Sequence, residues 1–411
     1  MRVLMIPNSL GDSGQYVIPY FEGLIRRGHE IIVVSEISEL MCQKLSKLGI
    51  KYLNLNYDKR QIHGFSTKES IVRLPFYIPR IARLINSERI DIVHVHHTVI
   101  PFLLGSFASR IKRIPLVLTI HGGPPSLDRR LSPICEAHRV TVTSPEQRVG
   151  LPRCKKEIPS IPLPIDLSRF LPKSETVNAK KSHKIAFISR LDPDKIAAVY
   201  STIESALYIA REFKDVQVII AGGGSMAPEV REAAEHVNDQ IGREVIVLPG
   251  FVEDISILMR GAHIVIGVGV IVMEAMASGK PVIVAGALTG YRGGSFGGIL
   301  DEQNVELLRS HNFSGRNSVI KTNAKSIYES VYRLLKDEQY MASLGTFGRR
   351  FAEKEFGPDK IAKETELVYI AAWKDVNSTG KLPSIITTSL SVLSVLFYQL
   401  ASQVALKLNF R

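Results

Sequence analysis

Two doubly wound α/β domains, each a parallel sheet with helices on both faces, are the fold class this chain predicts. Three observations carry that expectation. Short continuous runs of Val, Ile and Leu alternate with amphipathic segments, the pattern of strands buried on both faces. At 411 residues the chain exceeds what one hydrophobic core usually serves. The alternation also breaks once, over 163–184 in "LPIDLSRFLPKSETVNAKKSHK", into the Pro, Ser and Lys of a linker.

Taken in order, "RVLMIP" is a first strand, because its apolar stretch is too short for a signal peptide and no small-residue cleavage site follows. Helix "YVIPYFEGLIRRG", strand "EIIVVS", strand "DIVHVH", helix "PFLLGSFASRIKR" and strand "PLVLTIH" complete a first domain over 1–170. A second series over 171–357 begins at "KIAFISRL" and continues through "AVYSTIESALYIAREF", "VQVIIAGGG", "EVIVLPG", "HIVIGVG", a helix through Glu274, and "PVIVAG". A helix opened by Pro358 and Asp359 spans 358–376, and a tail covers 377–411. Sheets of this kind bind ligands beyond their strands' C-terminal ends, so two of them would enclose an interdomain cleft.

The tail carries no charge over 382–406, and Ile386, Leu390, Leu393, Phe397, Leu400 and Val404 form an amphipathic stripe. Its many Ser, Thr and Gln argue against a membrane span. It lies on a membrane, docks on another chain, or packs on the first domain. Net charge is +12, and residues 1–170 hold most of it, with 24 Lys and Arg against 14 Asp and Glu. Such a half is drawn to anions, whether a membrane surface, a phosphorylated acceptor or nucleic acid. Within it, "STKESIVRLPFYIPRIARLINSER" sets Lys68, Arg73, Arg80, Arg83 and Arg89 among apolar residues, a segment that Pro75 and Pro79 should interrupt. Cys42, Cys135 and Cys154 are too few for a disulfide framework and fit a reducing compartment.

Four stretches carry chemistry. In "GDSGQ", Gly11 and Gly14 follow the first strand and let backbone approach a phosphate, but no Gly-x-Gly-x-x-Gly follows, so NAD or FAD is not expected. "DIVHVHH" and "LTIHGG" bring His94, His96, His97 and His121 near strand ends. Three histidines could hold zinc, yet no fourth ligand is recognisable, and hydroxyl contact or proton transfer suits His121 better. His94, inside its strand, reads as a hydrogen-bonded core residue. "ISRLDPDKI" offers Arg190 and Lys195 to a diphosphate, unless Asp192 and Asp194 pair with them locally. In "IGVGVIVMEAMASGKPV", Gly267 and Gly269 open a helix whose N–H groups suit phosphates, and Glu274 can accept two ribose hydroxyls.

As an ordered set these motifs, with "LPGFVEDI", resemble family 4 of the retaining nucleotide-sugar glycosyltransferases, of GT-B fold, over the chain to about Asp375. The resemblance implies that Gly14, Arg190, Lys195, Gly267 and Gly269 lie at the donor diphosphate. It implies that Phe251 and Val252 meet the nucleobase, Glu274 binds the ribose and His121 contacts the sugar at the reaction centre. His96 and His97 would lie on the acceptor side. It further implies a UDP- or GDP-sugar as co-substrate, retained anomeric configuration, no metal or cofactor, and a last helix returning to the first domain. One departure stands out: the common family pattern has a Glu eight residues before Glu274, where this chain has Ile266.

The resulting expectation is a hexosyltransferase acting on a lipid-linked or cell-envelope glycan, cytoplasmic or peripheral on the inner face of the membrane through 66–90 and 384–406, with no nucleic acid partner. The alternatives are a GT-B isomerase resembling UDP-GlcNAc 2-epimerases and a degenerate nucleotide-sugar binder.

Overall fold

The computed structural model describes residues 1–7, 9–11, 17–55, 67–96, 100–122, 134–149, 151, 156–172, 182–287 and 294–379, with backbone alone at 9, 67–76, 100, 378 and 379. Gly14, His97, Cys154, the side chains of Lys68 and Arg73, and the tail from 380 onward lie outside that description. Packing divides the chain into two units, Met1–Pro164 joined by the chain from Pro358, and Ile165–Gly357.

The first unit runs β1 (Arg2–Pro7), β2 (Ser9–Leu10), α1 (Ile18–Arg26), β3 (Glu30–Ile37), α2 (Glu39–Lys47), β4 (Lys51–Asn54), α3 (Thr67–Glu88), β5 (Ile92–His96), α4 (Ile100–Lys112), β6 (Leu116–Ile120) and β7 (Arg139–Val142). Its sheet order is β4-β3-β1-β5-β6-β7, every pair parallel, with β2 pairing β3 beyond the end of β1. The chain builds outward from β1 in one direction through β3 and β4, then returns to its other side at β5. That reversal between β1 and β5 is where a crevice opens in this topology.

Helix α3 continues through Pro75 and Pro79 instead of breaking. Tyr77, Ile81 and Ile85 on its inner face are buried in one core with Phe102 of α4 and Val93 and Val95 of β5, and the Tyr77 hydroxyl donates to Leu55 O at 3.0 Å. Burial worth about 1.5–3 kcal/mol per large apolar side chain outweighs the backbone hydrogen bonds that the prolines forgo. Arg80, Arg83 and Arg89 stay exposed. Of the described cysteines Cys42 is free and Cys135 is disulfide-bonded, which corrects the expectation of reduced thiols throughout.

The second unit runs β8 (His183–Ile188), α5 (Ile196–Glu212), β9 (Val216–Ala221), α6 (Ala227–Ile241), β10 (Ile246–Gly250), α7 (Ile255–Gly261), β11 (Ile264–Gly267), α8 (Val270–Ala277), β12 (Val282–Ala285), β13 (Phe296–Ile299), α9 (Val305–Ser310), α10 (Ala324–Lys336) and α11 (Glu338–Phe356). The order β10-β9-β8-β11-β12-β13 repeats the winding of the first unit, with its reversal between β8 and β11. Only β13 runs antiparallel among these described strands. The segment 165–172 packs here: Ile165 N–H donates to Phe356 O at 2.9 Å, and the Arg349 guanidinium donates to the carbonyls of Phe170 and Ala277 at 2.7 and 2.6 Å.

The chain then enters α12 (Pro358–Thr379), whose Ile361, Ala362, Val368, Tyr369 and Ala372 join the core formed by α1, α2 and one face of the first sheet. A Cβ at Gly23 of α1 would fall 2.6 Å from Pro358 O, so glycine sets how closely the two helices meet. Among the described residues no helix is long and apolar enough to cross a membrane.

Candidate functional site

In the second unit the loop after β8 carries Arg190 and Lys195 at the reversal point. That loop is built on the glycines that follow β9. Leu191 N–H donates to Gly223 O at 2.9 Å, Met226 N–H donates to Leu191 O at 2.8 Å, and a Cβ at Gly222 would meet Ser189 O at 1.8 Å. The two cations pair within the loop: Arg190 donates to Asp192 and Asp194, and Lys195 lies 3.4 Å from Asp194. Asp192 is held below the usual carboxylate range, first by the Ser225 backbone N–H and also by Arg190. The local pairing weighed from sequence is therefore what this loop adopts, with Arg190 still about half exposed at 48%.

Across the reversal, β11 ends at Gly267 and α8 starts behind Gly269, whose φ of 64° suits glycine. A Cβ at Gly267 would come within 2.8 Å of Ile271 Cγ2, so that turn is also closely filled. One turn into α8 stands Glu274. The residue is partly exposed, yet its Oε2 is out of solvent's reach with no hydrogen-bond partner among the described residues. Burial pushes its pKa up to about 8, and the charge of Arg169 counteracts this only in part. A buried carboxyl oxygen without a donor costs free energy that a hydroxyl-bearing ligand would recover. Phe251, 62% exposed, and half-buried Val252 follow β10 at the same end of the sheet.

Ile266 is fully buried in β11, in one core with Ile264, Ile185, Phe187 and Ile283. The position that reads in sequence as a missing acid is occupied by core packing in the fold.

In the first unit the histidines form one cluster. His94 is buried; its Nε2 lies 2.7 Å from Thr119 Oγ1 and its Nδ1 2.8 Å from the Tyr369 hydroxyl of α12. Thr119 continues to Thr141 Oγ1 at 2.7 Å, and the Tyr20 hydroxyl donates to Thr365 Oγ1 at 3.2 Å. With both ring nitrogens engaged and burial lowering its pKa to about 3, His94 is a neutral structural residue, as its place in the strand suggests. His96 stacks on His94 at 4.2 Å between ring centroids, and its Nδ1 lies 2.8 Å from His121 Nε2. Burial likewise holds His96 well below its ordinary pKa. His96, His121, Thr119, Thr141, Thr143 and Tyr20 are among the residues lining a cavity of 20 Å³, room for about one water.

Among the described residues no three His, Cys, Asp or Glu side chains are grouped to hold a metal ion. Tyr369, Thr365 and Thr119 had no signal in the sequence beyond helical or strand periodicity. Arg169, whose guanidinium donates to Asp254 and whose charge reaches Glu274, had none either.

Two family models match in succession: Glycosyltransferase Family 4 over residues 14–169, and Glycosyl transferases group 1 over 182–309. N-acetyl-alpha-D-glucosaminyl L-malate synthase of Bacillus anthracis is 22% identical over 402 residues, covering 91% of this chain and 97% of that protein. An uncharacterized glycosyltransferase of Methanocaldococcus jannaschii is 25% identical, covering 90% of this chain and 98% of its own. Among solved structures, Anabaena HepE in complex with UDP superposes with a TM-score of 0.66 at 17% identity, covering 90% of this chain and 100% of that one. The same protein with UDP-glucose superposes with a TM-score of 0.61. These structural neighbours place the chain in the GT-B fold.

Proposed function

The chain belongs to glycosyltransferase family 4 of the group 1, GT-B enzymes, and from that premise we propose that it moves a sugar from a UDP- or GDP-sugar to a lipid-linked or cell-envelope glycan. The observation that carries this reading is Glu274: a carboxyl oxygen buried without a donor among the described residues, one turn inside a glycine-opened helix at the sheet's reversal point. A ribose supplies the hydroxyls that oxygen lacks, and the start of α8 suits the attached phosphates. The structures of HepE with UDP and with UDP-glucose support a nucleotide sugar as the ligand.

In this reading Arg190 and Lys195 exchange their loop aspartates for the diphosphate, and their charge stabilises the departing nucleotide as the glycosidic bond breaks. No metal is needed when two cations and helix N–H groups face the leaving group. Phe251 and Val252 border the nucleobase, and His121 contacts the sugar. The reaction retains anomeric configuration through an oxocarbenium-like sugar held between leaving group and acceptor, and catalysis rests on positioning and charge. The exposed Arg80 and Arg83 of α3, with Arg89 just beyond it, favour anionic headgroups, which supports a peripheral place on the inner membrane face with help from 384–406.

The test is a panel of UDP- and GDP-sugars incubated with the protein, with and without membrane extract, in the presence of EDTA. Nucleotide diphosphate release that requires extract and survives EDTA is the expected result. Epimerised free sugar without acceptor would identify an isomerase instead, and tight binding without turnover a degenerate binder.

A further inference from the structure

The contact between His96 and His121 joins two imidazoles, and one proton must lie between them. Either His96 Nδ1–H donates to His121 Nε2, or His121 Nε2–H donates to His96 Nδ1, at 2.8 Å in both cases. The second arrangement forces the proton of neutral His96 onto its own Nε2. That atom is shielded from solvent and has no hydrogen-bond partner among the described residues. Orphaned buried N–H groups are rarer and costlier than an acceptor left with a spare lone pair. The first arrangement leaves only a bare lone pair there.

The His96 ring is also held in place. Tyr20 meets it edge-on at 5.5 Å and 85°, and His94 stacks on it at 4.2 Å. His94 is in turn fixed by Thr119 on one nitrogen and Tyr369 on the other. The chain of contacts thus runs from α12 through two histidines to His121.

We propose that His96 is a positioning residue that donates its Nδ1–H to Nε2 of His121, locking His121 as the Nδ1–H tautomer. In that tautomer Nδ1 of His121 is a hydrogen-bond donor and not an acceptor. A role for His121 as a general base through Nε2 is closed, because that lone pair is already spent on His96. The functional part of this inference rests on the reading of His121 as the residue facing the sugar; the tautomer does not.

Long-range proton–nitrogen correlation spectra of the full-length protein, with histidines labelled and assigned by single His→Gln variants, read the tautomer directly. Protonated Nδ1 with bare Nε2 on both His96 and His121 is the expected pattern. Protonated Nε2 on His121 would overturn the proposal. Turnover supplies the second arm. His96→Asn keeps an N–H donor near the place of Nδ1 and should hold kcat within about threefold. His96→Leu should lower kcat by about 10–100-fold with nucleotide affinity unchanged. Equal loss in both variants would mean that the ring packs without positioning. Unchanged turnover in His121→Ala would remove the parent reading of His121, and the spectra would still decide the tautomer.

Discussion

Arg169 donates to Asp254 Oδ1 at 2.9 and 3.2 Å, and its charge reaches Glu274, whose Oε2 has no hydrogen-bond partner among the described residues. The carboxyl of Glu274 therefore responds to burial first, and its pKa rises to about 8. Between the ordinary carboxylate range and about pH 8, the folded protein holds a proton that the unfolded chain has released. Stability must then fall as pH rises through that window, by up to about 1.4 kcal/mol per pH unit. Glu274→Gln removes the titration. In urea unfolding at pH 6 and pH 8.5, the wild type should lose on the order of 1–3 kcal/mol more than the variant across that interval. Parallel losses would show that the carboxyl ionises freely in the folded state.

The same residue makes a binding prediction with an internal control. Glu274→Ala should weaken UDP or GDP binding by about 10–100-fold, since it deletes hydrogen bonds made to a charged or strongly polar acceptor. Glu274→Gln keeps one acceptor oxygen and should retain more affinity than the alanine variant. Calorimetric titration of the three proteins checks the order, and equal affinities would remove Glu274 from the ribose site.

Arg190 and Lys195 pair with Asp192 and Asp194 of their own loop. A diphosphate must displace those pairs, so its net gain is smaller than two free cations would provide, and it should fall with salt. Arg190→Ala should cost about 1.5–3 kcal/mol of diphosphate affinity. The nucleoside lacking phosphates should bind both proteins alike. A loss extending to the nucleoside would mean that Arg190 supports the loop and does not bind phosphate.

Gly222 supports that loop from below. Its φ of 156° and the 1.8 Å that would separate an added Cβ from Ser189 O leave no room for alanine. Gly222→Ala should push the loop after β8 away, costing diphosphate affinity at least as much as Arg190→Ala. Folding should persist, because the strain falls just beyond the C-terminal end of β9 and leaves the strand pairing itself in place. Gly242→Ala has nothing within 4 Å of its Cβ and serves as the comparison for a positive-φ glycine far from the loop.

Much of both sheets was legible because buried parallel strands read as continuous apolar runs, whereas the short strands β2, β4 and β7 give no such run and were not expected. Other features were not legible either. The edge strand β13 is "FGGI", where two glycines erase any strand signal and pairing to β12 decides the structure. Proline content argued for a break in α3, which core burial of Tyr77, Ile81 and Ile85 overrides. Ile266 stands where the family pattern has an acid, and spacing to Glu274 could not show that strand register sets it in the core beside Phe187. Long-range polar contacts such as His94 with Tyr369, 275 residues apart, have no local signature at all.

That last contact yields a stability prediction. Tyr369 is fully buried, its hydroxyl lies 2.8 Å from His94 Nδ1, and burial raises its pKa so that it remains protonated. Tyr369→Phe keeps the ring and removes the hydroxyl. His94 Nδ1 would then retain only the Tyr20 hydroxyl at 3.5 Å, too long for a good hydrogen bond. The expected cost is about 1–3 kcal/mol, the penalty for leaving a buried polar atom poorly satisfied. Tyr369→Ala also opens a cavity and should cost about 3–5 kcal/mol. Because α12 closes one face of the first sheet, both losses should appear in the unfolding of the first unit. Nucleotide binding measured below the transition should be unchanged. If phenylalanine were neutral, the hydroxyl would be filling space without contributing a hydrogen bond to stability.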